Sequence, residues 1–165
     1  MRFDSTLSSY IRKALYFASA AIVTTLVVVA QQPGAPDELT AGSKNVIQAP
    51  DLVKVLNSSD AKKPLVLYVG PRAFYQQAHI TGAEFVGPAG RPEGLEKLRA
   101  RAASLPHDKN IVLYCGCCPW DHCPNTHPAF RELQKMGFSN VRVLQLPTSF
   151  GADWADKGYP TSKGE

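Results

Sequence analysis

The sequence predicts an α/β domain in which a central, mostly parallel sheet of about five strands carries helices on both faces. Two apolar runs, 65–69 and 110–114, are continuous rather than alternating. Such runs are typical of strands buried on both faces of a parallel sheet. Strand-like and helix-like segments alternate along the chain, and its 165 residues fit one compact domain. These observations favour a three-layer architecture.

The first half of the domain surrounds the first apolar strand. Pro50 and Asp51 open a helix, since proline is favoured in a first turn, and Gly70-Pro71 ends the strand before the next helix. The predicted elements are a strand at 45–48, a helix at 50–57, a strand at 65–69, a short helix at 72–78 and a small strand at 84–86.

The second half surrounds the second apolar strand. Gly137 is a natural residue just beyond a helix end, and Asn125, Thr126 or His127 is a candidate cap for the start of that helix. The predicted elements are a helix at 93–104 with one apolar face, a strand at 110–114, a helix at 128–136, a strand at 141–144 and a closing helix at 150–157.

The N-terminus has the pattern of an export signal. A basic pair precedes the apolar stretch 14–30, and small residues lie just before Gln31. The stretch is also at the short edge of what spans a bilayer, so an uncleaved membrane anchor is the alternative. We predict a signal peptide or N-terminal membrane anchor at 1–30, a linker at 31–43 and a folded domain at 44–165. The domain would be periplasmic or secreted, or anchored outside the inner membrane.

Composition limits the possible partners. The formal net charge is +4, with no stripe of Lys and Arg and no interleaved aromatic residues. These features argue against nucleic-acid binding. Contact with a membrane is expected only through residues 1–30, if they remain attached.

The chemistry-bearing residues are concentrated in one loop. All four cysteines, Cys115, Cys117, Cys118 and Cys123, lie within nine residues directly after the second apolar strand. In α/β sheets, ligands bind beyond the carboxyl ends of the strands, where Cys115 is placed. In an oxidising compartment cysteines form disulfides, but cysteines confined to one loop could only lock that loop. Sulfur transfer, dithiol redox chemistry and metal binding all remain open.

Several separated motifs together resemble a single-domain rhodanese-like (sulfurtransferase) protein, over residues 44–165. The apolar strand ending at Cys115 is similar to the strand that delivers the family's nucleophile. The other motifs are His79-Ile80-Thr81-Gly82-Ala83, Gly137-Phe138-Ser139-Asn140-Val141 and Trp154-Ala155-Asp156-Lys157-Gly158-Tyr159-Pro160.

The chain also departs from the family pattern. Tyr68-Val69-Gly70 stands where the family usually has Asp-Val-Arg. The active-site loop is longer than usual, and 115–124 contains no Lys or Arg. The missing positive charge makes a neutral polysulfide or a protein persulfide a better donor than a small dianion.

The resemblance implies an enzyme of the thiosulfate sulfurtransferase type, with Cys115 as a persulfide-forming nucleophile. Its partners would be a small sulfane-sulfur donor or a protein persulfide or thiol, and no cofactor is implied. Gly116 would let the backbone turn tightly, and inward N–H groups and the following helix would favour the Cys115 thiolate. His122 or His127 could supply positive charge.

Two alternatives use the same loop. Cys117, Cys118 and Cys123 could resolve a persulfide or exchange disulfides with Cys115. The four thiolates could instead bind Zn²⁺ or Cu(I), with His122 nearby. The remaining loop residues have more modest expected roles: Pro119 stiffens the loop, Trp120 covers the pocket or packs onto the domain, and Asp121 orients His122 or is solvated.

Overall fold

The computed structural model describes residues 39–59 and 63–164. The predicted signal or anchor segment and most of the predicted linker lie outside the described residues. Within the described ranges, no helix is both long enough and apolar enough to cross a membrane.

A central sheet of five strands forms the middle layer. Its strands are β1 (Val46–Gln48), β2 (Leu65–Tyr68), β4 (Glu84–Phe85), β5 (Ile111–Tyr114) and β6 (Val141–Gln145). Their order across the sheet is β1-β6-β5-β2-β4, and all neighbouring strands are parallel. The predicted parallel sheet is therefore confirmed, with each strand within one or two residues of its predicted bounds.

Helices cover both faces of this sheet. They are α1 (Ala49–Asn57), α2 (Arg72–Gln77), α3 (Pro92–Ala102), α4 (Thr126–Lys135) and α5 (Phe150–Asp153). Leu113 belongs to the core that packs under α3 and α4, whereas Tyr114 belongs to the core under α1, α2 and α5. Successive residues of a strand point to opposite faces, so a strand buried on both sides must be apolar throughout. The three-layer prediction is confirmed.

The structure adds elements that the sequence patterns did not indicate. β3 (His79–Ile80) and β7 (Thr161–Ser162) form a separate antiparallel pair. The predicted closing helix is shorter and breaks at Trp154 into α5 and a 3-10 helix, Ala155–Lys157. The Trp154 indole is fully buried and donates a hydrogen bond to the Pro160 carbonyl at 3.0 Å. Anchoring this indole draws the C-terminal tail back against the domain.

The sheet order places β5 at the centre, between β6 and β2. Its carboxyl end therefore opens between the ends of two neighbouring strands, in the crevice where α/β proteins bind ligands. The cysteine-containing loop starts at this point.

Candidate active site

Cys115 is held rigidly at the end of β5. Cys115 is 2% exposed and belongs to the core under α3 and α4. The Tyr114 carbonyl before it accepts a hydrogen bond from the Val69 amide at 2.9 Å, and the Tyr114 hydroxyl accepts one from the Ile80 amide at 2.9 Å. This geometry agrees with the sequence-based prediction that an apolar strand places a cysteine at its carboxyl end.

Gly116 makes the sharp turn that follows. Its φ is +73°, and a Cβ at this position would lie 2.7 Å from the Phe150 Cβ. Its carbonyl accepts a hydrogen bond from the Phe150 amide at 3.1 Å. A side chain here would therefore face both backbone strain and a clash with α5, so the tight turn expected at Gly116 requires glycine.

The cysteine sulfurs form a compact cluster. Cys117 Sγ lies 3.0 Å from Cys115 Sγ and 3.3 Å from Cys118 Sγ. The sulfurs of Cys115, Cys117 and Cys123 all lie within 4.8 Å of one another, a group that we call the thiol triad. Cys118 lies beside the triad, and its thiol donates to the His122 carbonyl at 3.8 Å. All four cysteines are free in this structure.

The surroundings of Cys115 and Cys123 shift the pKa values of these two thiols in opposite directions. A hydrogen bond with Cys123, together with burial, raises the pKa of the Cys115 thiol. The same hydrogen bond and the backbone N–H groups of Asn125 and Thr126 lower the pKa of Cys123 to about 5. Those N–H groups lie at the start of α4, where the helix dipole favours an anion. The start of the helix thus favours the thiolate of Cys123, and the backbone N–H of Cys117 acts in the same direction on Cys115.

Asn125 connects the triad to the neighbouring loop. It is 4% exposed, its Nδ2 donates to Cys115 Sγ at 3.3 Å, and its Oδ1 accepts from the Gly90 amide at 2.9 Å. It occupies the N-cap position of α4 without making a side-chain capping bond. The sequence pattern indicated Asn125 only as a helix cap, and its contact with sulfur was not predicted. An Asn in a capping position gives no sign that its amide is used elsewhere.

Tyr68 and Gly70 explain one departure from the family pattern. A Cβ on Gly70 would lie 2.7 Å from both Cys115 Sγ and the Tyr68 hydroxyl oxygen, so position 70 has no room for an Arg. The buried Tyr68 hydroxyl has no hydrogen-bond partner among the described residues. Burial, followed by the nearby Cys115, raises the pKa of Tyr68. A neutral phenol therefore lies beside the Cys115 thiol.

An apolar cavity of about 260 Å³ opens beside Cys115. Its wall includes Phe74, which is 48% exposed, and the hydroxyl-bearing ring of Tyr68. The other lining residues that concern the site are Cys117, Gly116, Phe150 and Ala155. We call this space the apolar cavity.

A second cavity, of about 550 Å³, opens on the other side of Cys117. Arg72, Arg91 and Lys97 line it together with Asn125. The Arg72 guanidinium lies 4.3 Å from the centre of the Phe85 ring, and none of the three cations forms an ion pair within the described part of the chain. We call this space the cationic cavity. The absence of Lys and Arg from the loop therefore does not leave the site without positive charge.

The rest of the loop lies away from the triad. Trp120 is half-buried and packs against the core under α3 and α4, so of its two expected positions the structure shows packing onto the domain. It begins a 3-10 helix, Trp120–His122, that also contains Asp121. Pro119 and His122 are exposed, and His122 is not among the triad residues. The structure brings together all four cysteines, with Cys118 next to Cys117, but neither His122 nor His127 belongs to the group of ligand atoms within 4.8 Å of one another.

A parallel sheet between two layers of helices, with a buried cysteine at the carboxyl end of its central strand, defines an α/β protein with a thiol-based site. The Rhodanese-like domain family matches residues 49–146. This chain belongs to that family, which is of the sulfurtransferase type.

Solved structures support the same assignment. A solution NMR structure of a rhodanese-like domain from Anabaena sp. is 26% identical with a TM-score of 0.54, over 73% of this chain and 80% of that one. A crystal structure of the same Anabaena protein is 25% identical with a TM-score of 0.55, over 71% and 82%. A full-length Lactobacillus plantarum protein shares the fold at 17% identity with a TM-score of 0.52, over 72% and 88%. A comparison with curated proteins gives no match.

Proposed function

We propose that this chain is an exported sulfurtransferase that carries sulfane sulfur as a persulfide on Cys115. The observation that carries the proposal is the position of Cys115, at the carboxyl end of the central strand and on the wall of the apolar cavity. Membership of the rhodanese-like family supports this role for a cysteine in this place. Export to the periplasm or beyond rests on the pattern of residues 1–30.

The proposed reaction consists of two displacements at sulfur. The Cys115 thiolate attacks the sulfane sulfur of a donor such as thiosulfate, whose S–S bond breaks and whose sulfite leaves with the electron pair. A persulfide on Cys115 results. An acceptor thiolate or cyanide then attacks the outer sulfur, and Cys115 leaves as a thiolate. Sulfur is transferred and the resting enzyme is restored without an external oxidant.

Several neighbours of Cys115 support the first displacement. Cys115 must lose its proton before it attacks, and the sulfurs of Cys117 and Cys123 beside it can accept that proton. The Asn125 amide donates to Cys115 Sγ and favours negative charge on that sulfur. Tyr68 adds a neutral hydroxyl on the side of Gly70.

The cationic cavity supports a donor that carries negative charge. Three cations that form no ion pair among the described residues surround a space that reaches Cys117, whose sulfur is 3.0 Å from that of Cys115. An anionic group placed there would bring its sulfane sulfur toward the triad. The sequence-based preference for a neutral polysulfide or a protein persulfide relied on the lack of cations in the loop, and the cations from outside the loop support thiosulfate as a further candidate donor.

The deciding experiment compares Cys115→Ser with Cys118→Ser in the full-length chain. Sulfite release from thiosulfate and sulfur transfer to cyanide are measured with thiol-reduced protein, and mass spectrometry locates the added sulfur atom. We expect Cys115→Ser to lose both activities and the added sulfur, and Cys118→Ser to retain them. An unchanged rate in Cys115→Ser would overturn the proposal. An N-terminal sequence starting at Gln31 would support cleavage and export.

Thiol–disulfide exchange is the second candidate, because Cys117 Sγ lies 3.0 Å from Cys115 Sγ. Attack by Cys117 on the inner sulfur of the persulfide would form a Cys115–Cys117 disulfide and release hydrogen sulfide. Alkylation followed by mass spectrometry, after one turnover with donor alone, distinguishes the two outcomes. A stable persulfide favours transfer, whereas a disulfide with one equivalent of sulfide favours redox chemistry.

A further inference from the structure

We propose that the thiol triad, Cys115, Cys117 and Cys123, is a binding site for Cu(I) with three sulfur ligands. The site uses the nucleophile of the proposed sulfur transfer, but metal binding does not require that the chain catalyse the transfer. Copper would remain in the +1 state, three copper–sulfur bonds would form, and the protons still on the thiols would pass to solvent.

The spacing of the sulfur atoms fits a metal at their centre. A metal–thiolate bond is about 2.3 Å long, so three sulfurs arranged symmetrically in one plane around a metal are about 4 Å apart. The triad sulfurs lie 3.0 Å apart at Cys115 and Cys117, and all pairs lie within 4.8 Å. Small side-chain rotations therefore convert the triad into a trigonal site, without movement of the elements that hold it.

The triad is also positioned by rigid elements. Cys115 ends the central strand, and Cys123 precedes the buried Asn125 and the start of α4. Cys115 and Cys123 are 2% and 8% exposed, whereas Cys117 is half-buried at the boundary of the two cavities. A buried site with one more accessible ligand has an entry path for the metal and shields the bound ion from water.

The donor set selects Cu(I) over Zn²⁺. Thiolates are soft ligands that bind both ions, but structural zinc sites require four ligands in a tetrahedron. Among the described residues, the metal-competent group contains three sulfurs and no fourth Cys, His, Asp or Glu. Cys118 Sγ contacts Cys117 Sγ at 3.3 Å but lies outside the group whose ligand atoms are all within 4.8 Å of one another, and its thiol donates to the His122 carbonyl at 3.8 Å. A three-coordinate site is complete for Cu(I) and incomplete for zinc.

The inference also predicts competition. Cys115 cannot hold a sulfane sulfur at its Sγ and donate the same thiolate lone pair to copper in the resting geometry. Bound Cu(I) is therefore expected to block the loading of Cys115 by a sulfur donor.

The test titrates the anaerobic, fully reduced full-length chain with Cu(I) against a chromogenic Cu(I) chelator. We expect one equivalent of copper to be taken from the chelator, with three sulfur neighbours by X-ray absorption at the copper edge. Cys117→Ser and Cys123→Ser should lose retention against the chelator. Cys118→Ser, in the same loop, should keep it.

The outcomes separate this inference from the proposed function. Copper retained equally by Cys117→Ser and Cys123→Ser, or lost in Cys118→Ser, would overturn the triad as the site. A preference for zinc, or only two sulfur neighbours around copper, would overturn the assignment of the ion or its coordination. None of these readouts needs sulfur-transfer activity, and circular dichroism of each variant identifies loss through misfolding. If Cys123→Ser unfolds, Cys117→Ser carries the test, because Cys117 is the more exposed ligand.

Discussion

The apolar cavity and the cationic cavity are neighbours with opposite chemistry. The first is lined by Phe74, Tyr68 and Phe150 beside Cys115, and the second by Arg72, Arg91 and Lys97. Cys117 lines both. A single thiol loop therefore faces an uncharged environment on one side and a positively charged environment on the other. In the proposed sulfur transfer, this difference would let an anionic donor bind on the cationic side and an acceptor with an apolar body bind on the other.

Helix α2 supplies a residue to each cavity. Arg72 and Phe74 lie two residues apart, and successive helical residues are rotated by about 100°, so these side chains leave the helix on nearly opposite sides. Arg72 turns toward the Phe85 ring and the cationic cavity, and Phe74 turns toward Cys115. One short helix after β2 therefore separates the two environments.

The largest effect is expected from adding a side chain at Gly116, on the turn that follows Cys115. Gly116→Ala must adopt φ +73° and place its Cβ 2.7 Å from the Phe150 Cβ. The left-handed conformation and overpacking together should lower the free energy of unfolding by about 2–4 kcal/mol. Urea unfolding followed by circular dichroism measures this change.

Gly151→Ala is the matched control, since it also lies on the apolar cavity. A Cβ there has its nearest neighbour, Ser149 Oγ, at 3.7 Å, which is ordinary contact. Its stability should match or exceed the wild type, because alanine is favoured over glycine within a helix. Equal losses at both positions would show that the Gly116 turn has no special role.

A smaller effect, on binding, is expected from the cationic cavity. The triple substitution Arg72→Gln, Arg91→Gln and Lys97→Gln should raise the KM for thiosulfate by about tenfold, because exposed charges contribute modestly and add over three sites. The KM for a neutral organic trisulfide should not change. Steady-state kinetics at low and high salt measure the effect, and the salt dependence for thiosulfate should largely disappear in the variant.

Two variants sharpen this comparison. Lys54→Gln removes an exposed charge from α1, outside the residues that line either cavity, and should leave both KM values unchanged. Phe74→Ala should raise the KM for a thiol acceptor without changing the KM for thiosulfate. If the triple variant raises the KM for the neutral and for the anionic donor equally, the cationic cavity does not select donors by charge.

The sequence predicted the layers, the parallel sheet and the position of Cys115, because these depend on local signals. A continuous apolar strand and its terminal cysteine are adjacent in the chain, so position 115 follows from the pattern around it. Gly116 could be anticipated for the same reason. The tight turn after a strand requires a residue that tolerates positive φ.

The surroundings of Cys115 could not be predicted, because they depend on side chains far away in the chain. Arg91 and Lys97 reach the site from the start of α3, and Asn125 turns away from its helix to contact sulfur. Tyr68 fills the space that the family pattern assigns to a charged residue at position 70. Among the residues around Cys115, only Arg72 could have been found from the sequence. It closely follows the carboxyl end of β2, and ligands bind beyond such strand ends in α/β sheets.

The smallest expected effect concerns the wall of the cationic cavity at low pH. Arg101 on α3 donates two hydrogen bonds to Glu84 on β4, at 2.5 and 3.0 Å, and this contact lowers the pKa of Glu84.

A carboxyl whose pKa is lower in the folded than in the unfolded chain stabilises the fold at pH values above its unfolded-state pKa. This stabilisation is lost as the pH falls through its folded-state pKa. Because the Glu84 side chain is 43% exposed, the contribution should stay below about 1 kcal/mol. Urea unfolding of wild type and Glu84→Gln should therefore differ slightly at neutral pH, and the difference should shrink as the pH falls below the usual carboxyl pKa of about 4.3 and through the lowered pKa of Glu84. Because the ion pair joins the elements that carry Phe85 and Lys97, the neutral-pH loss should accompany a small rise in the KM for thiosulfate alone. A difference in stability that persists unchanged at low pH would show that Glu84 acts through packing and not through its charge.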